Sequence, residues 1–471
     1  MAKTAQDRTV RVPDGPSGPL DSYFRITERG STVRTEILAG LTTWLTMAYI
    51  LFVNPQILGF VGVPGLEGKG LPFAQVLTVT ALAAGVMTIL MGVVANYPFA
   101  IAAGLGLNAF VAFTLVATDG LSWPEAMGVI VVEGLIISVL VLTGVREAVL
   151  HAIPMDLKRA IGIGIGAFLA IIGLHNAGVV VGNTDPILKL APELTRWTIA
   201  VFAVGMAVTS ALVARKTRGA LLIGILVTTV FATVVNELYD KAIWHNGIAA
   251  IPSKVWEKPD FTLVGNFSFN FVHVLGWGTA IAVVVAVMLS DFFDTMGTVI
   301  GIGGEAGMLD EDGRLPGMKK VLFVDGLAAA AGGATSSSSN TTYIESAAGV
   351  SDGARTGLAS VVTGALFLLA MFFSPIAGIV PPEATAPILV IVGYFMMTMV
   401  KDIDWADAGI GIPVLLTIVM MPFTYSITNG VGAGFLSYTV IAVLRGKWRD
   451  VHPLMYAVAI VFAWYFFHGV V

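Results

Sequence analysis

The chain has 471 residues, of which 56% are hydrophobic and only 12% charged, with a net charge of -5. Soluble globular domains carry about 25% charged residues, so the composition excludes a soluble protein and predicts a polytopic membrane protein. Cysteine is absent, which rules out disulfides and thiolate metal sites, while 53 glycines fit closely packed transmembrane helices.

Residues 1–35 are polar and contain Pro13, Pro16 and Pro19. They carry no cleavable signal peptide and read as a cytoplasmic tail. Apolar runs of spanning length follow near 36–60, 74–95, 100–118, 124–144, 158–176, 197–214 and 219–237. A second set lies near 275–302, 319–334, 335–350, 354–374, 384–400, 406–423 and 427–445. Each set has seven members, and an odd number per half forces the second half to run upside down relative to the first. With the N-terminus inside, 20 of the 26 Lys and Arg residues fall in inner loops, as the positive-inside rule demands.

Two hairpins support a duplication. Residues 197–237 turn at Arg215-Lys216-Thr217-Arg218-Gly219, and residues 406–445 turn at Ser426-Ile427-Thr428-Asn429-Gly430. The polar stretch 238–272 reads as an outer loop joining the halves. The last apolar run, Met455 to Phe467, either crosses as an additional span or lies in the interface.

Two spans look broken. Asn96-Tyr97-Pro98-Phe99 interrupts the third, with Gly104 and Gly106 following. The tenth begins with the hydroxyl-rich Thr335 to Thr342. Irregular backbone survives at membrane depth only buried in protein or lining a cavity, and a matched pair of interrupted spans points to a transporter's binding site. A short helix starting at Thr341 or Thr342 would aim free N–H groups at whatever is bound, with Glu345 about one turn further on.

Intramembrane acids are functional candidates by default. Asp291 and Asp294 sit three apart on one helix face, and Glu345 lies in the tenth span. Asp294 either acts itself or orients its neighbour. Asn108, in the third span, either recognises a ligand or makes an interhelical hydrogen bond. Asn54, beside Pro55, is expected to partner backbone freed by the proline. A flat heteroaromatic with several N–H donors suits such a site: carboxylates accept its N–H groups, and an amide donates and accepts. Tyr343, Phe110 and Phe292 or Phe293 would supply an apolar face. A buried acid that takes up and releases a proton would couple transport to the proton gradient. Gly162, Gly164 and Gly166 lack the strand and acid of a nucleotide fingerprint and read as helix packing, and no catalytic motif occurs.

Four stretches carry a resemblance. They are Gly40 to Ile50 with Asn54-Pro55, Gly104-Leu105-Gly106-Leu107-Asn108-Ala109, Ser290-Asp291-Phe292-Phe293-Asp294-Thr295-Met296-Gly297-Thr298, and Ser339-Asn340-Thr341-Thr342-Tyr343-Ile344-Glu345-Ser346. In these the chain resembles the nucleobase/ascorbate transporter superfamily, within it the AzgA-like adenine, guanine and hypoxanthine permeases. The resemblance implies an all-α polytopic fold of fourteen segments in two inverted seven-helix repeats, with a short strand before the half-helix in spans 3 and 10. It implies a core domain over 36–145 and 273–375 and a gate domain over 146–240 and 376–447, with an outer loop at 241–272 and a C-terminal segment at 448–471. It also implies purine contact by Asp291 and Glu345, recognition by Asn108, and support or coupling by Asp294. Phe110, Phe292, Thr342 and Tyr343 complete the expected substrate site, and Asp291, Asp294 and Glu345 the proton-coupling set.

The expected activity is import of purine nucleobases across the cytoplasmic membrane by proton symport with an elevator movement, in a lipid-embedded protein that forms homodimers. No cofactor, metal, enzymatic activity or nucleic-acid partner is expected. An anion transporter of the related sulfate/bicarbonate type is the competing reading, opposed by the cost of placing an anion beside three acids. An intramembrane enzyme using Asp291 and Asp294 finds no histidine near either acid.

Overall fold

A computed structural model describes residues 18–63, 65–144, 152–182, 188–240, 242–245, 247–310 and 314–467. The tail up to residue 17, and Arg146, Lys241, Glu311 and Asp312 of the expected loops, lie outside the described residues. Among the described residues, ten helices are long and apolar enough to cross a membrane.

In the first half these are α1 (Val33–Leu58), α2 (Phe73–Ala95), α4 (Trp123–Thr143), α5 (Met155–Asn176), α6 (Trp197–Ala214) and α7 (Ala220–Leu238). Strand β1 (Ile101–Ala103) and helix α3 (Leu105–Thr118) stand between α2 and α4. A small hairpin of β2 (Val180–Gly182) and β3 (Leu188–Leu190) follows α5. The second half holds α8 (Trp277–Gly304), α9 (Met318–Ala334), strand β4 (Asn340–Thr342), α10 (Ser346–Ser351), α11 (Gly357–Ala377), α12 (Pro382–Asp402), α13 (Ala408–Thr424), α14 (Ile427–Leu444) and α15 (Pro453–Phe467).

The helix ends follow from local sequence. Thr32 caps α1 by accepting from the Thr35 N–H at 3.1 Å. Ser122 and Glu125 form a capping box at α4, which ends on Gly144 at φ 77°. Glu36, from α1, receives the Arg355 N–H at 2.8 Å and the Thr356 N–H at 3.3 Å, supplying free donors ahead of α11 with an acceptor.

Helices α1, α2 and α11 pack together, as do α4 and α9; α5 packs on α12 and α13, and α6 on α7 and α12. Small residues permit the closest crossings. A Cβ on Gly166 of α5 would stand 2.7 Å from the Gly393 carbonyl oxygen of α12, so only glycine admits that approach.

The segment before α8 is a strap over the helix ends. Trp244 Nε1 donates to Glu383 at 3.1 Å, Ala249 N–H to Ile379 O at 2.7 Å, and Glu257 N–H to Phe372 O at 2.9 Å. Further on, Gly265 N–H donates to Ala334 O at 2.8 Å.

The last apolar run forms helix α15. It lies antiparallel along α14, with the Tyr465 hydroxyl donating to Asn429 at 3.0 Å in the first turn of α14. Its Trp464 ring packs on Gly278 at the start of α8. At 15 residues it is about 22 Å long, and it is packed into the helix bundle rather than lying across its end.

Candidate functional site

The two broken spans meet. β1 and β4 pair antiparallel, with Ile101 opposite Thr342, Ala102 opposite Thr341 and Ala103 opposite Asn340. Gly104 N–H donates to Ser339 O and Tyr343 N–H to Ala100 O, both at 2.9 Å, so the pairing extends past both ends of the strands. All six strand residues are buried. Each broken segment therefore satisfies the other's backbone, which is how extended chain persists at membrane depth. A Cβ on Gly104 would come within 2.9 Å of the Thr341 side chain, so glycine lets the strands close.

Ser336 and Ser338 adopt left-handed backbone at φ 59° and 73°, which non-glycine residues hold only when their surroundings dictate it. Asn54 contributes to that hold: its amide donates to Thr80 at 2.7 Å and to Ser337 O at 3.1 Å. It ties α1 to the broken span rather than to backbone freed by Pro55.

The expected start of the tenth half-helix is corrected. Helix α10 begins at Ser346, with Glu345 as its preceding residue, not one turn inside it. Thr341 and Thr342 are committed to the strand, and Thr342 gives both its N–H (2.9 Å) and its hydroxyl (2.7 Å) to Asp325.

The acids fall into two groups. Glu345 is partly exposed and accepts from the Tyr49 hydroxyl at 2.6 Å. Asp294 is exposed and lies within electrostatic reach of Glu345. Beside Asp294 the α8 face is open: among the described residues a Cβ at Gly297 or Gly301 would meet nothing within 4 Å. The second group is Asp291, Glu133 and Asp325, all buried. Ser339 Oγ reaches Asp291 at 3.4 Å and Glu133 at 3.5 Å. Asp325 is well supplied with donors, taking the Thr295 hydroxyl at 2.7 Å besides both groups of Thr342.

Asn108 is fully buried on α3, and among the described residues neither its amide nitrogen nor its oxygen has a partner. A buried unsatisfied amide costs about 1–3 kcal/mol, so this side chain is poised for a group that supplies both. Phe110 and Phe292 are buried within the helix packing, and the Tyr343 hydroxyl donates to Ala103 O. Phe293 has Lys158 Nζ above its ring at 5.1 Å. The structure leaves Asp294 exposed and Glu345 partly exposed, within electrostatic reach of each other, and buries Asp291, Thr342, Tyr343, Phe110 and Phe292. A separate groove of about 350 Å³, lined by Val61, Phe73, Ile248, Glu257, Pro375 and Val380, lies under the strap and away from the acids.

Sequence reasoning passed over Glu133, Asp325 and Tyr49. Each acid stands alone inside an apolar run, the same signal that selected Glu345. Tyr49 gives no such signal, because its partner is 296 residues away.

A family model described as "Permease family" matches residues 34–432. The chain belongs to this family, within the nucleobase/ascorbate transporters. The permease is 39% identical to the adenine permease AdeQ of Escherichia coli over 448 residues, covering 95% of this chain and 96% of that one. It is 37% identical to the guanine/hypoxanthine permease PbuG of Bacillus subtilis over 450 residues, covering 95% and 99%. Its fold matches the transmembrane domain of the cyanobacterial bicarbonate transporter BicA with a TM-score of 0.60, covering 85% of this chain and 97% of that one at 12% identity. SLC26A9 matches with a TM-score of 0.61 over 91% and 67%, at 10% identity. The permease is accordingly a multi-pass membrane transporter and not an enzyme.

Proposed function

We propose that the permease carries purine nucleobases such as adenine, guanine or hypoxanthine across the cytoplasmic membrane by proton symport. The observation that carries this reading is the convergence of the two broken spans, which carry Glu345 and the Asn108 amide from opposite halves of the chain to one strand pair, with Asp294 of α8 within electrostatic reach of Glu345. Full-length similarity to adenine and guanine/hypoxanthine permeases supports the substrate class.

In this reading Glu345 and Asp291 accept purine N–H groups, Asn108 reads a neighbouring donor–acceptor edge, and Asp294 couples or orients. Phe110, Phe292, Thr342 and Tyr343 shape the site from behind. Fourteen segments form two inverted seven-helix repeats, α1–α4 with α8–α11 as core and α5–α7 with α12–α14 as gate. The tight packing within each set supports that division. Core moves against gate as an elevator, the N-terminus is cytoplasmic, α15 is an added crossing, and the working form is a homodimer in lipid.

The likeness in fold to a bicarbonate transporter raises anion transport as the competing reading. The acids oppose it, since an anion beside buried carboxylates costs several kcal/mol. Uptake of labelled hypoxanthine and adenine into proteoliposomes decides between them. Purine uptake driven by an inward proton gradient and indifferent to excess sulfate is expected. Uptake that sulfate competes away, or that ignores the proton gradient, overturns the reading.

A further inference from the structure

We infer that Glu133 of α4 and Asp291 of α8 form a buried acid pair that shares one proton, with Glu133 as the positioning residue for Asp291. Both side chains are completely buried, and both accept at long range from the same group, Ser339 Oγ. A serine hydroxyl has one hydrogen and serves one of the two carboxyls at a time. The two carboxyls therefore flank a single hydroxyl, and one hydrogen cannot serve two buried carboxylates at once, so the pair requires a proton. Among the described residues, Glu133 Oε1 and Asp291 Oδ1 meet no donor group. Among the described residues neither acid is in an ion pair.

The surroundings make one proton the natural count. Asp325, on α9, is the third buried acid nearby, and its three donors from Thr295 and Thr342 let it remain charged. Asp294 on α8 adds further negative charge beside Asp291 and Glu345 lies beyond it, Tyr343 is spent on Ala103 O, and the cation on the adjoining α5, Lys158, sits over the Phe293 ring. With like charges crowded in a dry site, the pair does not ionise twice, and it titrates as a unit rather than as two residues. A second proton is not needed, because one proton and the Ser339 hydrogen supply a donor to each carboxyl. Ser339 O also holds the Gly104 N–H ahead of α3, so the pair is anchored to the strand junction itself. The pair is placed to hold the transported proton within the core, beside the purine that Asp291 and Glu345 contact. This last role rests on the symport reading; the shared proton does not.

The test is infrared difference spectroscopy of the reconstituted full-length protein at neutral pH, reading the C=O stretch that a protonated carboxyl shows and a carboxylate lacks. Glu133→Gln and Asp291→Asn are each expected to lose the same single band, and the double variant to lose no more than either alone. Loss of separate bands that add in the double variant would mean two protons. Loss of none, or sodium-dependent thermal stabilisation that both variants abolish, would mean an ionised pair or a cation site. Each of these overturns the proposal. Glu133→Asp should keep the band, and if Glu133→Gln fails to fold, Asp291→Asn reads the same signal. In transport, Glu133→Gln should retain purine exchange between equal compartments while losing accumulation driven by the proton gradient. If wild type moves no purine but shows the shared band, the symport reading fails and the acid pair stands.

Discussion

The two broken segments have the same backbone plan and opposite chemistry. In the first half, Ile101 to Asn108 is apolar apart from its last residue; in the second, Ser336 to Glu345 is almost entirely hydroxyls, with one amide and one acid. Both run strand first and helix second, and each completes the other's backbone hydrogen bonding. The first supplies shape: small residues that let the strands meet and a 14-residue helix, Leu105–Thr118. The second supplies polarity and the contacts to Asp325, Tyr49 and the acid pair. Two segments of one backbone plan thus divide the labour, so damage to one should alter folding and damage to the other transport.

The largest effect is expected on the polar side. Glu345→Ala should abolish purine uptake while surface expression and thermal unfolding stay near wild type; wild-type uptake would place the site elsewhere. Next is Asn108→Ala, the one polar group of the apolar side. Removing an unsatisfied buried amide should leave the melting temperature level or raised, yet weaken purine affinity by about tenfold, the equivalent of a single hydrogen bond. Lower stability with unchanged affinity would make Asn108 structural. On the structural side, Gly104→Val should destabilise by about 1–3 kcal/mol through overpacking against Thr341, read by thermal unfolding, and should do so with or without purine. Thr342→Val takes one of three donors from Asp325 and should cost about 1–3 kcal/mol, with Thr342→Ser restoring it.

The smallest effect lies outside the membrane. The Thr262 hydroxyl and N–H, with Gln75, hold the Asp260 carboxyl below the usual aspartate range. A depressed folded-state pKa gives stability that is present above about pH 4, the ordinary aspartate value, and is lost as pH falls through the lower folded value. Exchange protection of the strap around Asp260 should therefore drop only on acidification, and Asp260→Asn should show no such pH step. A step persisting in that variant would assign it to another group.

Much of the fold was legible because bilayer thickness fixes span length: apolar runs such as 197–214 and 219–237 are helices at almost those residues. The breaks were legible too, since Pro98 and the hydroxyl run cannot continue a lipid-facing helix. The start of α10 was not. Thr341 and Thr342 are claimed by a strand partner some 240 residues away, a pairing that no local pattern records. Nor was the facing of Phe110 and Phe292, because a helix apolar all round gives no rotational phase. Glu133 and Asp325 were visible as lone acids in apolar runs. What the sequence could not show is that Ser339 places Glu133 against Asp291 while Thr342 satisfies Asp325.

The most direct measurement is equilibrium binding of labelled hypoxanthine and adenine to the purified protein, with wild type set against Glu345→Ala at matched thermal stability. Saturable binding that unlabelled purines displace, that sulfate and bicarbonate leave untouched, and that the variant loses is the predicted result. Equal binding by both proteins, or displacement by the inorganic anions, would contradict the account.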